Sequence, residues 1–193
     1  MKKLVLFFAV TLSSFASCNK EEIIALSEQE KADLLFLREE EKLARDVYIY
    51  SYNKYGLNIF NNITNSEQSH MSSVLTLLNK YGLPDPITNN EAGIFTNSEL
   101  QTLYNELTST SDISLTKALE VGANIEDLDI RDIDTFKSHT TKSDLISVYD
   151  RLTCGSRNHM RSFVSQLENY TPIYISQSQF DAIINSSNEK CGK

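Results

Sequence analysis

The sequence is poor in residues that interrupt regular structure, and it is poor in positive charge. Its 193 residues include six glycines, three prolines and no tryptophan, which argues against collagen-like, repeat-β and turn-rich sandwich architectures because these need frequent breakers. Lysine and arginine total 18 against 26 aspartates and glutamates, for a net charge of −8. The chain has no basic run from which to build a nucleic-acid face, so we expect no nucleic acid among its partners.

The first 26 residues read as an export and anchoring segment. Lys2 and Lys3 precede an apolar stretch of about 12 residues, which suits a signal peptide and is too short to span a bilayer. Residues 15–18 resemble a bacterial lipobox, which makes residues 1–17 a lipoprotein signal peptide, Cys18 the lipidation site and residues 18–26 a tether. This predicts that acylated Cys18 attaches the protein to lipid of the bacterial outer membrane. Exposure of the anchored protein at the cell surface is one possibility. A plain secretory signal with a chance cysteine is the alternative.

Helical periodicity dominates the rest of the chain, whose 40% hydrophobic content is enough for a core. Ser27 and Glu30 form a capping box at the start of the first helix, and Gly56 suits its end. Thr141 and Asp144 mark the start of the fourth helix in the same way. The four long predicted helices cover residues 27–56, 59–81, 114–138 and 141–170.

The connections predict how these helices are arranged. About three residues join the first helix to the second and the third to the fourth, so each pair forms an antiparallel hairpin. Residues 83–113 form a long crossover, with a short helix capped at Thr96. This is the connectivity of a ferritin-like four-helix bundle over residues 27–170, an all-α fold. Residues 171–193 form a tail with a short helix near 177–185.

Polar residues interrupt the apolar stripe of every long helix. Apolar residues at positions 34, 37, 44 and 48 place Glu41 in the middle of the core-facing side of the first helix. A lone buried carboxylate costs several kcal/mol, so it needs a cation, a proton or a metal. The same reasoning picks out five residues at similar depth: Glu41, Glu67, His70, Glu126 and His159.

These residues match the pattern of di-iron carboxylate bundles at five of six positions. The pattern takes a glutamate from each of two helices and a Glu-x-x-His motif from each of the other two. The sixth position is Ser156, whose hydroxyl cannot replace a bridging carboxylate, and Asp129 is the candidate to restore the charge. Carboxylate and imidazole ligands suit iron, with manganese or zinc as alternatives.

The motif Glu41-x-x-Ala44-Arg45-x-x-Tyr48 resembles the first-helix motif of rubrerythrins, in which the glutamate binds iron. Glu67-x-x-His70 resembles the second-helix motif of the same group. Residues 27–170 as a whole resemble an uncharacterised bacterial family of the ferritin-like superfamily, through residues 39–48 and 155–159. The resemblance implies the bundle fold and a metal site, and it carries no activity.

Two hypotheses of function follow. The first is a membrane-anchored metalloprotein with one or two metals that performs redox or peroxide chemistry, with Tyr48 as a redox or hydrogen-bonding neighbour. The second is a non-catalytic surface lipoprotein that uses the bundle to bind a partner, with Arg45 neutralising a buried carboxylate in a purely structural ion pair. A homodimer and a pairing of Cys154 with Cys191 both stay open.

Overall fold

The computed structural model describes residues 25–192. The predicted signal peptide and Cys18 lie outside this range. Of the helices in the described range, none is both long enough and apolar enough to cross a membrane. Residues 25–192 contain six helices and no strand: α1 (Glu28–Tyr55), α2 (Asn58–Lys80), α3 (Ser98–Ser111), α4 (Leu115–Ser138), α5 (Ser143–Val164) and α6 (Gln177–Ile184).

Of the six described helices, α1, α3, α4 and α6 begin at a residue whose side chain caps the helix. The predicted capping box is present at the start of α1, where Ser27 and Glu30 exchange backbone and side-chain hydrogen bonds. Gly56 ends α1 with φ 65°, a left-handed conformation that glycine adopts without steric cost. With six helices and no strand, the described residues form an all-α fold, as predicted.

Two predicted caps are wrong. The side chain of Asn97, not Thr96, accepts the backbone N–H groups of Glu99 and Leu100 in the first turn of α3, and the Thr96 hydroxyl donates to the Pro86 carbonyl instead. Helix α5 spans residues 143–164, shorter than the predicted 141–170. Its N-cap is Lys142, which makes no side-chain cap hydrogen bond, and Thr140 accepts from the Lys142 backbone and donates to Glu30.

Four helices form the bundle. A two-residue turn joins α1 and α2 into a hairpin, and a four-residue turn joins α4 and α5 into a second one. The two hairpins pack together through α1 on α4 and through α2 on α5. Apolar side chains fill the bundle toward both of its ends. One cluster includes Leu43, Phe60 and Phe163, and the other includes Leu37, Val74 and Leu152. The polar candidates fall between these two clusters on every long helix.

A buried ion cluster fixes the crossover to α1. Lys42 is fully buried, and its Nζ lies 2.5 Å from Asp46 Oδ2 and donates to the Glu91 carbonyl. The Gly93 N–H donates to the same Asp46 carboxylate. One turn earlier, Glu39 accepts the backbone N–H groups of residues 96 and 97. These contacts hold the crossover and the start of α3 against α1.

The tail is fastened to α4 and α5. The buried Asp127 carboxylate accepts the backbone N–H groups of residues 173–175, so this short apolar run is an irregular segment held by α4. Cys154 and Cys191, whose pairing the sequence leaves open, form a disulfide with a Cα–Cα distance of 5.4 Å. Glu189 adds ion pairs to Arg157 and Arg161 of α5.

Candidate metal centre

The four bundle helices bring the five core ligand candidates together. Glu41 comes from α1, Glu67 and His70 from α2, Glu126 from α4, and His159 from α5. All are buried, with the three glutamates no more than 1% exposed and the two histidines below 10%. Since each lies within a helix that packs on at least two others, their positions are set by the bundle and not by loops.

Three of the candidates form what we call the first half-site: Glu41, Glu67 and His70. His70 Nδ1 lies 2.8 Å from Glu67 Oε2 and 3.2 Å from Glu41 Oε2. One atom from each residue can be chosen so that all three lie within 4.8 Å of one another. One imidazole nitrogen thus faces two carboxylates that come from different helices.

The second half-site repeats this arrangement with Glu67, Glu126 and His159. His159 Nδ1 lies 2.8 Å from Glu67 Oε1 and 3.3 Å from Glu126 Oε2. Glu67 therefore belongs to both half-sites and presents one oxygen to each histidine. The two imidazole rings stack with their centroids 5.6 Å apart. A carboxylate that bridges two half-sites in this way is the geometry expected of a ligand shared by two metals.

Several atoms of the cluster have no hydrogen-bond partner. Five of them belong to residues of the half-sites: Glu41 Oε1, both Glu67 oxygens, Glu126 Oε2 and His159 Nδ1. Glu67 Oε1 lies 2.8 Å from His159 Nδ1, but the two atoms are not aligned for a hydrogen bond. An unpaired buried polar atom costs about 1–3 kcal/mol, and more when charged. Several such atoms in two adjacent half-sites fit ligand atoms that lack their metal ions.

The charged groups of the cluster shift one another's pKa values. Burial alone would lower the pKa of His159, but the carboxylates of Glu126 and Glu67 outweigh it and raise the pKa to about 10. The carboxylates of Glu67 and Glu41 likewise raise the pKa of His70 well above its usual value against the effect of burial. Burial raises the pKa of Glu41 to about 7. Without a metal, protons on the histidines would therefore balance the buried carboxylates.

Neighbouring groups orient the ligand candidates. The Tyr48 hydroxyl donates to Glu126 Oε1 at 2.6 Å, which places Tyr48 where the sequence put a hydrogen-bonding neighbour. His159 Nε2 lies 2.9 Å from Ser66 Oγ, so the far side of that ring has a fixed partner. Gly155 makes room for His70, since a Cβ atom there would lie 2.6 Å from the imidazole.

Three other predicted residues have different surroundings. Ser156 is buried and donates to the Leu152 carbonyl of its own helix, so it adds nothing to the cluster. Arg45 does not neutralise a buried glutamate of the site: it pairs with Asp46, which lies on its own helix, and hydrogen-bonds Gln68 and the crossover. Asp129 is 1% exposed but belongs to neither half-site.

Sequence reasoning missed Glu40. Its carboxylate is 1% exposed and neither oxygen has a hydrogen-bond partner. Three consecutive glutamates, residues 39–41, were a signal that could have drawn attention to it. Successive helical residues point about 100° apart, so only one of the three could lie at the centre of the apolar stripe.

The chain has known relatives. The protein family described as "Uncharacterized protein domain (DUF2202)" matches residues 30–187. Uncharacterized protein MJ0754 of Methanocaldococcus jannaschii is 50% identical over 169 residues, which cover 86% of this chain and 91% of that protein. A crystal structure of hypothetical protein MJ0754 matches with a TM-score of 0.85 and covers 86% of this chain and 97% of that one.

These matches refine the family resemblance. The relative comes from an archaeon, so the expectation of a bacterial family is too narrow. The family match spans all but the first two residues of the bundle helices and most of the tail, and it includes every residue of both half-sites. The chain belongs to the DUF2202 family.

Proposed function

We propose that this protein is a ferritin-like metalloprotein that binds two metal ions at the centre of its helical bundle. The first half-site would hold one ion through Glu41, Glu67 and His70, and the second would hold another through Glu67, Glu126 and His159. The observation that carries the proposal is the position of Glu67, whose two unpaired oxygens each lie 2.8 Å from a different histidine Nδ1.

The ligand chemistry favours iron or manganese. Carboxylate oxygens suit hard divalent cations and imidazole nitrogen suits iron, manganese and zinc, while no cysteine lies in either half-site. A bound iron pair would supply redox chemistry with dioxygen or peroxide. The chain's own residues would hold the ions, and the Tyr48 hydroxyl would fix the Glu126 carboxylate.

The competing function is a metal-free partner-binding module. It is favoured by the raised pKa of both histidines, because two imidazolium groups would offset the carboxylates without any ion. In that case the cluster is a structural polar network. Metal binding separates the two functions, since only the first requires a defined number of ions per chain.

The decisive experiment is metal analysis with a matched variant. Protein purified aerobically from iron-supplemented cells should contain two metals per chain, and its melting temperature after stripping should rise on addition of Fe(II) or Mn(II). His70→Ala removes one nitrogen ligand and should lose at least one metal, whereas Ser69→Ala, on the exposed face of the same helix, should keep both. If neither metal changed the melting temperature of the stripped wild-type protein, the metal-free function would be established instead.

The lipid anchor is a separate proposal. Acylation of Cys18 would place the bundle at a membrane surface with residues 18–26 as a tether. Cys18→Ser should then move the protein from the membrane fraction to the soluble fraction or leave it unprocessed. Failure of a labelled fatty acid to mark the wild type at Cys18 would rule the anchor out and leave the metal proposal untouched.

A further inference from the structure

A pocket between α2 and α5 adjoins both half-sites at their histidines. Of the five ligand candidates, only His70 and His159 are more than 1% exposed, at 9% and 8%. Both line the same pocket, which has a volume of about 340 Å³ and which we call the histidine pocket. Sites for small molecules begin at about 300 Å³, so this pocket is large enough to hold a small ligand.

Gly155 lines the histidine pocket next to both imidazole rings. A Cβ atom at this position would lie 2.6 Å from His70 Nε2 and 3.8 Å from His159 Cε1. Any side chain here would therefore occupy the space beside the two rings. Ser66, whose hydroxyl lies 2.9 Å from His159 Nε2, also lines the pocket. The wall next to the rings is thus open at Gly155 and polar at Ser66.

The charge of the lining favours an anion. Arg151 and Asn158 of α5 both line the pocket, and no acidic residue of the described range does. Arg151 forms no ion pair with any described residue, and it donates to the Ser147 hydroxyl. Arg157 on the same helix pairs with Glu189 instead. A guanidinium without a carboxylate partner is a ready donor to an anionic ligand.

The tail forms the third side of the histidine pocket. Cys191 and Gly192 line it, and the disulfide to Cys154 fastens this segment to α5. Asn158 holds the same segment, because its amide donates to the Glu189 carbonyl and accepts the Glu189 N–H. Two helices and a cross-linked tail therefore fix the shape of the pocket.

We propose that the histidine pocket binds a small monovalent anion, which Arg151 attracts and which then lies beside the two histidines. The inference rests on the proposed function, because it names the kind of small molecule that would meet the metal centre. One guanidinium without an ion-pair partner matches one negative charge, and the buried glutamates of the half-sites oppose a second. A divalent anion such as sulfate should therefore bind more weakly than azide.

Azide is the probe, and stripped protein is the sample, so the result does not depend on metal binding. The chain has three histidines. The third, His139, lies at the end of α4 and does not line the pocket, so it is an internal control. Azide that replaces sulfate at constant pH and ionic strength should shift the imidazole NMR signals of His70 and His159 until they saturate. The signal of His139 should stay unchanged.

A pair of arginine variants makes the assignment specific. Arg151→Gln removes the attracting charge and should weaken azide binding about tenfold. Arg131→Gln removes the same charge from an exposed position on α4 and should bind azide like the wild type. Shifts that are absent from the wild type, equally large at His139, or unchanged in Arg151→Gln would overturn the anion pocket.

Mn(II) binding to the same preparations tests the proposed function separately. Two tightly bound ions without an azide-dependent shift would leave the metal centre standing and refute the anion pocket. Azide binding that depends on Arg151, in a protein that binds no Mn(II) or Fe(II), would support the anion pocket and refute the metal centre.

Discussion

Glu67→Gln is the substitution that most directly tests the paired half-sites. The amide keeps the shape of the side chain but removes the charge from the one residue that faces both histidines. If Glu67 serves two ions, this single change should abolish tight binding of both. Glu41→Gln touches only the first half-site, so it should leave one ion in place.

The expected size of the effect follows from linkage. A ligand at a hundredfold excess over its Kd stabilises the folded protein by about 2.7 kcal/mol per site. Two half-sites therefore contribute about 5 kcal/mol, which for a domain of this size raises the melting temperature by about 10 to 20 °C. The rise should be near zero for Glu67→Gln and about half as large for Glu41→Gln.

Calorimetry of stripped protein with and without Mn(II), together with metal counts after gel filtration, provides the measurement. Glu106→Gln, an exposed glutamate on α3, is the control for a lost charge and should show the full wild-type rise. One tight ion retained in Glu67→Gln would refute the bridging role of this carboxylate. The two half-sites would then have to be independent.

Three further outcomes are expected. The pKa of His159 is raised to about 10 in the metal-free fold, so its protonated form stabilises that fold, fully below the unfolded pKa of about 6.5. This stabilisation is lost as the pH rises through 10, so the melting temperature of stripped protein should fall from pH 7 to pH 10. A melting temperature that does not change over this range would contradict the prediction. Gly155→Ala should displace the His70 ring and weaken Mn(II) binding about 10- to 100-fold, unlike Ser147→Ala on the exposed face of α5. Cys191→Ser opens a disulfide between residues 37 apart and should lower the free energy of unfolding by about 4 kcal/mol in denaturant titrations; a loss below about 1 kcal/mol would show that the other tail contacts suffice.

The parts of the fold that could be predicted are those that depend on one helix at a time. The stripe around Glu41 in α1 and the Glu67-x-x-His70 spacing in α2 placed these residues inside, because the apolar neighbours that mark the buried face lie within two turns of the same helix. Predictions made this way identified all five residues of the two half-sites.

The parts that could not be predicted depend on contacts between distant segments. Glu40 lies off the stripe, so its burial depends on the packing of other helices on that side of α1. Arg45 sits on the predicted motif, yet its guanidinium turns away from the site because Asp46 and the crossover supply its partners. Spacing alone could not pair Cys154 with Cys191, since docking of the tail on α5 brings them together.

The division of ligands between the two hairpins has a consequence for how the protein opens. The first half-site takes all of its ligands from α1 and α2, which a two-residue turn connects, so an ion there could survive separation of the hairpins. The second takes ligands from α2, α4 and α5, so its ion must be released before the hairpins part. An ion in the second half-site would therefore slow amide hydrogen exchange across the α2–α5 contact, whereas an ion in the first would protect only its own hairpin.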